Sequence, residues 1–266
     1  MPSRVQQLIR PPATGGPQTD AEQSDGILLR QVSRSFTDRS GRTVEALRDV
    51  SLHARPQEVL AVVGPSGCGK TTLLELICGL QAPDAGSIQS APAALMPQRD
   101  LLLPWRSALD NAALPLQIAG LSRKQARAQA LPLFRELGLD GFEQAHPSEL
   151  SGGMRQRVAF LRTLLSGKRV LCLDEPFGAL DAITRMQMQS WLARVLEHEP
   201  RTVVLVTHDV EEAVLLGDRV AVMSPRPGRV VQEVEIELPR PRDRVDEDVV
   251  ALREQALKAL GAGDRP

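Results

Sequence analysis

The chain has 266 residues, room for one large core or two modest domains. Basic and acidic side chains nearly balance, 32 against 33, for a net charge of −1; aromatic residues make up 3% and tyrosine is absent. Such a chain carries neither the basic footprint of a strong nucleic-acid binder nor the aromatic platforms that stack single strands.

Residues 1–25, rich in Pro, Gly, Gln and Thr, read as a disordered leader. Ile27–Phe36 and Val44–Leu52 read as strands, parted by the polar turn Thr37–Arg42. On pattern alone Phe36, at a strand end, reads as a core residue rather than a ring for stacking on a base. Glu58–Val63 is a short apolar strand, followed at once by the glycine-rich turn Gly64–Thr72 and a helical pattern over Leu73–Leu80. Leu80–Gly86 is a turn, and Ser87–Gln98 reads as short strands broken by Pro92 and Pro97. Asp100–Ala119 holds two prolines and a tryptophan and includes a stretch that reads as helical. Ser122 is an N-cap candidate for a helix over Arg123–Leu137, which Pro132 is expected to kink or split and Gly138 to stop. Residues 99–160 carry helical signals and few strand signals, and read as an inserted helical subdomain.

Beyond it, strands Lys168–Leu173, Arg201–Thr207 and Asp218–Met223 alternate with helices Thr184–Leu196 and Val210–Leu216, the pattern of a parallel sheet with helices on its faces. Val230–Leu238 is strand-like. Within the tail 244–266, Val249, Leu252, Ala256, Leu257 and Leu260 fall on one helical stripe, expected to pack on its own domain. Cys68, Cys78 and Cys172 follow no zinc spacing and are expected as free, small, buried residues in a reducing compartment. No apolar run reaches the ~20 residues of a membrane helix, and the N-terminus lacks an apolar signal core. The chain is therefore expected in the cytosol, with any membrane role supplied by a partner.

The turn GPSGCGKTT fits G-x-x-x-x-G-K-[ST]. Gly64, Gly67 and Gly69 are expected to adopt backbone angles that a Cβ forbids. The loop Gly64, Pro65, Ser66, Gly67, Cys68, Gly69, Lys70, Thr71 and Thr72 can then wrap the phosphates of a nucleotide, aided by the positive end of the following helix. Lys70 would reach the β and γ phosphates and Thr71 would offer its hydroxyl to Mg²⁺. The strand segment VLCLDE sets Asp174 to hold Mg²⁺ and Glu175 to polarise an attacking water. His208, at another strand end, would touch the γ-phosphate and orient that water. Gly64, Asp174 and His208 all fall at carboxyl ends of strands, where ligands of such sheets gather. His53, His146 and His198 read as packing or surface residues. Ser151, Gly152 and Gly153 precede a helix over Met154–Leu165 and form a second anion-binding arrangement, although the motif alone also fits an ordinary capped helix. Two such helix ends with one lysine loop suggest a nucleotide shared between two copies.

Together these residues resemble the ATP-binding subunits of ABC transporters, over about Ile27–Gly228. LSGGMRQR (Leu150–Arg157) is similar to that family's signature motif, which grips the γ-phosphate across a head-to-tail dimer. Gln98 resembles the Q-loop glutamine, which touches Mg²⁺ or water and the membrane partner. LCLDEP resembles the Walker B strand, GALD ending at Asp181 the D-loop, and His208 the switch histidine; by position Phe36 is similar to the base-stacking aromatic, against its pattern-based reading. The resemblance implies an α/β P-loop NTPase cassette over residues 26–243: a mostly parallel sheet, an inserted helical subdomain and an N-terminal antiparallel β portion. It implies ATP and Mg²⁺, ATP hydrolysis, a homodimer, membrane permease subunits and, indirectly, an extracytoplasmic solute-binding protein, at the cytoplasmic face of the membrane and without nucleic acid. LLLPWRSALDNAALPL (Leu101–Leu116), DEPFGALDAITR and SPRPGRVV resemble the nitrate/sulfonate/taurine importer group, with coupling to the permease through Gln98–Trp105. The Lys70–Gln98 interval is short for that group and reads as a trimmed strand or hairpin. A soluble ATPase of this type acting on DNA or ribosomes is the competing reading; the single cassette, the lack of heptads and the charge balance count against it. A regulator without turnover is disfavoured by the presence of both Glu175 and His208.

Overall fold

The computed structural model describes residues 26–263, with side chains to 261; the leader expected over 1–25 lies outside them. The described chain falls into two compact units, one of 26–95, Arg169–Glu175 and 200–263, the other of Met96–Lys168 and Pro176–Glu199.

In the first unit, the apolar run Val59–Val63 forms strand β3, buried along its whole length. It pairs in parallel with β7 (Thr202–Thr207) on one side and β8 (Arg219–Met223) on the other. Strand β6 (Val170–Asp174) pairs in parallel with β7, and β9 (Val230–Glu235) closes the far edge antiparallel to β8. With β5 (Ala93–Met96) the order is β5-β6-β7-β3-β8-β9. A sheet covered on both faces needs continuous rather than alternating apolar strands, which is how β3, β6 and β7 read. Leu60 and Val62 join one core with Leu73, Leu74 and Ile77 of helix α1 (Lys70–Ile77). Ala61 and Val63, pointing the other way, join Ala213 and Val214 of α7 (Val210–Leu216) and Val249, Ala256 and Ala259 of α8 (Glu247–Gly263). The C-terminal stripe thus packs on its own unit. Leu257 departs from the expected stripe and is 49% exposed, because ~100° per residue turns it off the face that Val249 and Ala256 define; Ala259 is buried instead. A second sheet, antiparallel and ordered β2-β1-β4, comprises β1 (Ile27–Thr37), β2 (Thr43–Ala54) and β4 (Ala85–Ser90).

The other unit is helical: α2 (Ala108–Ala112), α3 (Leu114–Ile118), α4 (Arg123–Glu136), a 3₁₀ turn at Pro147–Glu149, α5 (Gly152–Leu164) and α6 (Ala182–His198). The span 99–160 lies within it. Ser122 caps α4 in a capping box with Gln125. Of the two outcomes expected at Pro132, a kink or a split, the split does not occur: α4 runs unbroken through it. The proline removes one backbone donor, while the buried Ala126, Ala130, Leu133 and Phe134 hold both halves against the core. Asn111, fully buried, accepts from the Leu103 amide at 2.7 Å and donates to the carbonyls of Leu103, Arg106 and Ser107, which fixes the loop before α2. Arg162 donates to the carbonyls of Asp100 and Leu101, and Arg155 to the Asp100 carboxylate. The stretch after Gln98 is thereby pinned from inside, with Trp105 72% exposed on it.

Candidate active site

The loop after β3 reaches α1 through two glycines in the left-handed region, Gly67 at φ +76° and Gly69, the N-cap, at φ +106°. A Cβ on Gly69 would also lie 2.7 Å from the Ala46 carbonyl oxygen. Gly64 differs from the expectation: its backbone is not left-handed, and what excludes a side chain is space, since a Cβ would sit 2.9 Å from Cys68 Sγ and 3.0 Å from Met223 Cβ. Lys70 is buried and arches back over the loop, where Nζ donates to the carbonyls of Gly64 at 2.7 Å and Pro65 at 3.0 Å. Its Nζ lies 3.8 Å from Cys68 Sγ, and burial pushes that thiol's pKa up. All three cysteines are free; Cys68 and Cys172 are buried and Cys78 is half-buried.

Adjacent strand ends carry the rest. Asp174 closes β6, nearly fully buried, and accepts a 2.8 Å hydrogen bond from Thr71 Oγ1. Burial raises its pKa; the Glu175 charge adds to this, and the Thr71 bond and the Lys70 charge oppose it. A desolvated carboxylate beside a hydroxyl is a hard-oxygen donor pair that suits Mg²⁺, which takes one or two protein oxygens and fills its sphere with phosphate and water. Among the described residues no three His, Cys, Asp or Glu side chains gather as a separate metal cage. Glu175 follows with φ +47°, a left-handed backbone unusual for a residue with a side chain, and its amide donates to Val206 O at 2.8 Å. His208, just past β7, places Nδ1 3.3 Å from Glu175 Oε1. Because β6, β7 and β3 are neighbours, Gly64, Asp174, Glu175 and His208 stand along one end of the sheet.

Phe36 is not a core residue, as its pattern suggested; it is 37% exposed, with the Arg34 guanidinium 5.0 Å above its ring. The other histidines are exposed at the surface: His53 meets Arg219, His146 Nδ1 lies 3.3 Å from Pro104 O, and His198 Nδ1 2.7 Å from Arg194 O.

The remaining sequence candidates belong to the helical unit. Ser151 caps α5 by accepting from the Met154 amide at 3.2 Å, and Ser151 and Gly152 are exposed. Gly153 is half-buried; a Cβ there would meet Leu180 Cδ2 at 3.2 Å. Asp181 caps α6 through the Thr184 amide, and its bonds to Thr184 hold its carboxyl below the usual range. Gln98 is exposed in the bend after β5.

Sequence reasoning missed a contact to the phosphate loop. Arg226 Nε donates to Gly67 O at 2.9 Å, from a loop 159 residues further on. SPRPG signals a turn, but no local pattern says which loop that turn meets.

The sequence profile described as ABC transporter matches residues 47–178. The chain is 46% identical to an aliphatic sulfonates import ATP-binding protein of Rhodococcus jostii, over 84% of this chain and 90% of that one. It is 45% identical to a taurine import ATP-binding protein of Rhizobium johnstonii, over 77% and 82%. Among solved structures it is similar to an ATP-binding cassette in a dimeric post-hydrolysis state with ADP and Pi, at a TM-score of 0.73 and 28% identity, over 80% of this chain and 99% of that one. The chain belongs to the ATP-binding proteins of the ABC transporter family.

Proposed function

We propose that this chain is the ATP-hydrolysing subunit of a membrane importer for a small solute, working as a homodimer at the cytoplasmic face through permease subunits. What carries the reading is one end of one sheet: Lys70 in the phosphate loop, Thr71 bonded to Asp174, and Glu175 beside His208. The names of the sulfonate and taurine relatives support the importer over a soluble ATPase acting on DNA or ribosomes.

Phosphoryl transfer to water asks a protein for positioning and charge neutralisation rather than covalent chemistry. The loop amides and Lys70 hold the triphosphate. Thr71 and Asp174 would hold Mg²⁺, Gln98 being the further candidate that the family resemblance gives, and the ion would supply charge neutralisation to the phosphates. Glu175 takes the proton of the attacking water, and His208 fixes the direction of the Glu175 carboxylate and meets the γ-phosphate. Ser151, Gly152 and Gly153 of a second copy complete the grip on the γ-phosphate, and Asp181 lies at that junction. Phe36 offers its ring to the adenine. Clasping two nucleotides shifts the pair toward a closed state, and hydrolysis releases it. The loop through Gln98 to Trp105 passes the motion to the permease; its exposed tryptophan on a pinned backbone suits a partner contact. Phosphate release from the purified chain, lost in Lys70→Ala, together with co-purification of a multi-spanning membrane protein, tests the proposal. Turnover alongside ribosomes or DNA, and no membrane partner, would favour the alternative.

A further inference from the structure

The loop between β8 and β9 lies directly against the phosphate loop. It braces itself first: Ser224 Oγ donates to the carbonyls of Pro225 and Pro227 and accepts from the Arg229 amide, while the Ser224 amide donates to Arg229 O. Its backbone is then tied to β2, for Gly228 N donates to Ala46 O at 2.9 Å and Arg48 N to Gly228 O at 3.0 Å. Gly228 sits so close beneath the phosphate loop that a Cβ would fall 2.0 Å from Cys68 O. Met223, at the end of β8, closes the space beside Gly64. From this braced platform Arg226 reaches out and donates Nε to Gly67 O at 2.9 Å.

Resting on the nucleotide-binding reading above, we infer that Arg226 is a positioning residue for nucleotide binding, acting by fixing the Gly67 peptide so that the phosphate loop is held in its gripping shape before nucleotide arrives. Gly67 and Gly69 both adopt left-handed angles, and glycines at such positions have many other conformations open to them. The bond Cys68 N to Pro65 O is long, 3.3 Å, and holds the turn weakly by itself. A charge-assisted donor on the carbonyl between these two residues removes the freedom of that peptide in the free protein, and pre-organising a site raises affinity without a new contact to ligand. The effect falls on binding rather than on the chemical step, because Arg226 meets backbone at the loop and neither Glu175 nor His208.

The test is equilibrium binding of ATP and of ADP to the full chain and to Arg226→Ala and Arg226→Lys, with KM and kcat for hydrolysis and the melting temperature measured beside it. Expected are a loss of about fivefold to tenfold in affinity for both nucleotides in Arg226→Ala, a matching rise in KM with kcat within about twofold, and partial recovery in Arg226→Lys, which keeps one donor. Wild-type affinity in Arg226→Ala overturns the inference. So does a loss confined to ATP, which would put the guanidinium on the γ-phosphate itself, or a lower melting temperature with affinity intact, which would make the contact structural only. A wild-type chain that binds neither nucleotide overturns instead the functional reading on which the inference rests.

Discussion

His208 Nδ1 lies 3.3 Å from Glu175 Oε1, the two residues standing just past the ends of the neighbouring strands β7 and β6. Glu175 is held there at φ +47° by the hydrogen bond that its backbone N–H donates to Val206 O. A left-handed glutamate is a conformation that costs on the order of 1–3 kcal/mol and persists where the surroundings enforce it. The arrangement fixes a carboxylate beside an imidazole at the end of the sheet that carries Lys70.

Glu175→Gln should keep ATP binding and lower hydrolysis by about a hundredfold or more, since the amide occupies the same space without taking a proton. His208→Ala should reduce kcat with less effect on binding, through loss of orientation. Steady-state phosphate release and equilibrium nucleotide binding on the same preparations separate the two. Normal turnover in Glu175→Gln would remove Glu175 from the mechanism.

Gly69→Ala should abolish nucleotide binding. The substitution forces an L-residue to φ +106° and drives its Cβ to 2.7 Å from Ala46 O, where backbone must move. A local cost of about 1–3 kcal/mol is expected in a denaturant titration, alongside the loss of binding. Gly41, also left-handed but with open space around its Cβ position, is the control, and Gly41→Ala should leave binding intact.

Asp174 makes a prediction with a definite sign. Its folded-state pKa is raised, chiefly by burial, so the native state takes up a proton more readily than the unfolded chain. The ionised carboxylate therefore weakens the nucleotide-free fold at neutral pH, and that penalty fades as pH falls through the raised pKa. Asp174→Asn should melt higher than the wild type at pH 7 in the absence of nucleotide, with the gap closing in acid. Added MgATP should stabilise the wild type more than the variant. A variant that melts lower at pH 7 would contradict this electrostatic account.

Asp110, in the helical unit, carries the opposite sign. Burial works to raise its pKa, but its bonds to Arg123 and Ser107 and the charges of Arg127 and Arg123 outweigh it and hold the carboxyl below the usual range. Its stabilisation is present above the unfolded pKa and lost as pH falls through the lowered one. Asp110→Asn should cost about 1–2 kcal/mol at pH 7, discounted because the Arg123 side chain is largely exposed. Urea midpoints at pH 7 and in acid check both the cost and its disappearance.

Much of the sheet was legible because buried parallel strands leave an unmistakable trace. VLAVV, VLCLD and TVVLVT are continuous apolar runs, and each is followed at once by polar chemistry. Strand ends and the order of chemistry along the chain could therefore be read locally. Phe36 could not, because apolar character at a strand end does not say which face is covered. That Pro132 leaves α4 unbroken was not legible, because the rule for isolated helices omits the core that α4 leans on. Gly64 was read for its angle when the reason is its neighbours, Cys68 and Met223. Arg226 on Gly67 was out of reach, since sequence periodicity carries no information on contacts between loops so far apart. The same holds for Arg242, which donates to the carbonyls of Val214 and Gly217 at the end of α7 and whose pKa burial lowers to about 10.

The central claim is that two copies clasp each nucleotide, Lys70 from one and Ser151 from the other. The most direct measurement is the mass in solution, by light scattering, of Glu175→Gln with MgATP and of the same protein carrying Ser151→Arg. The account predicts twice 29.0 kDa for the first, falling back to one chain mass when ATP is withheld, and a single chain mass for the second although it still binds ATP. A Glu175→Gln protein that binds MgATP and stays at 29.0 kDa, or a Ser151→Arg variant that doubles just as readily, would contradict it.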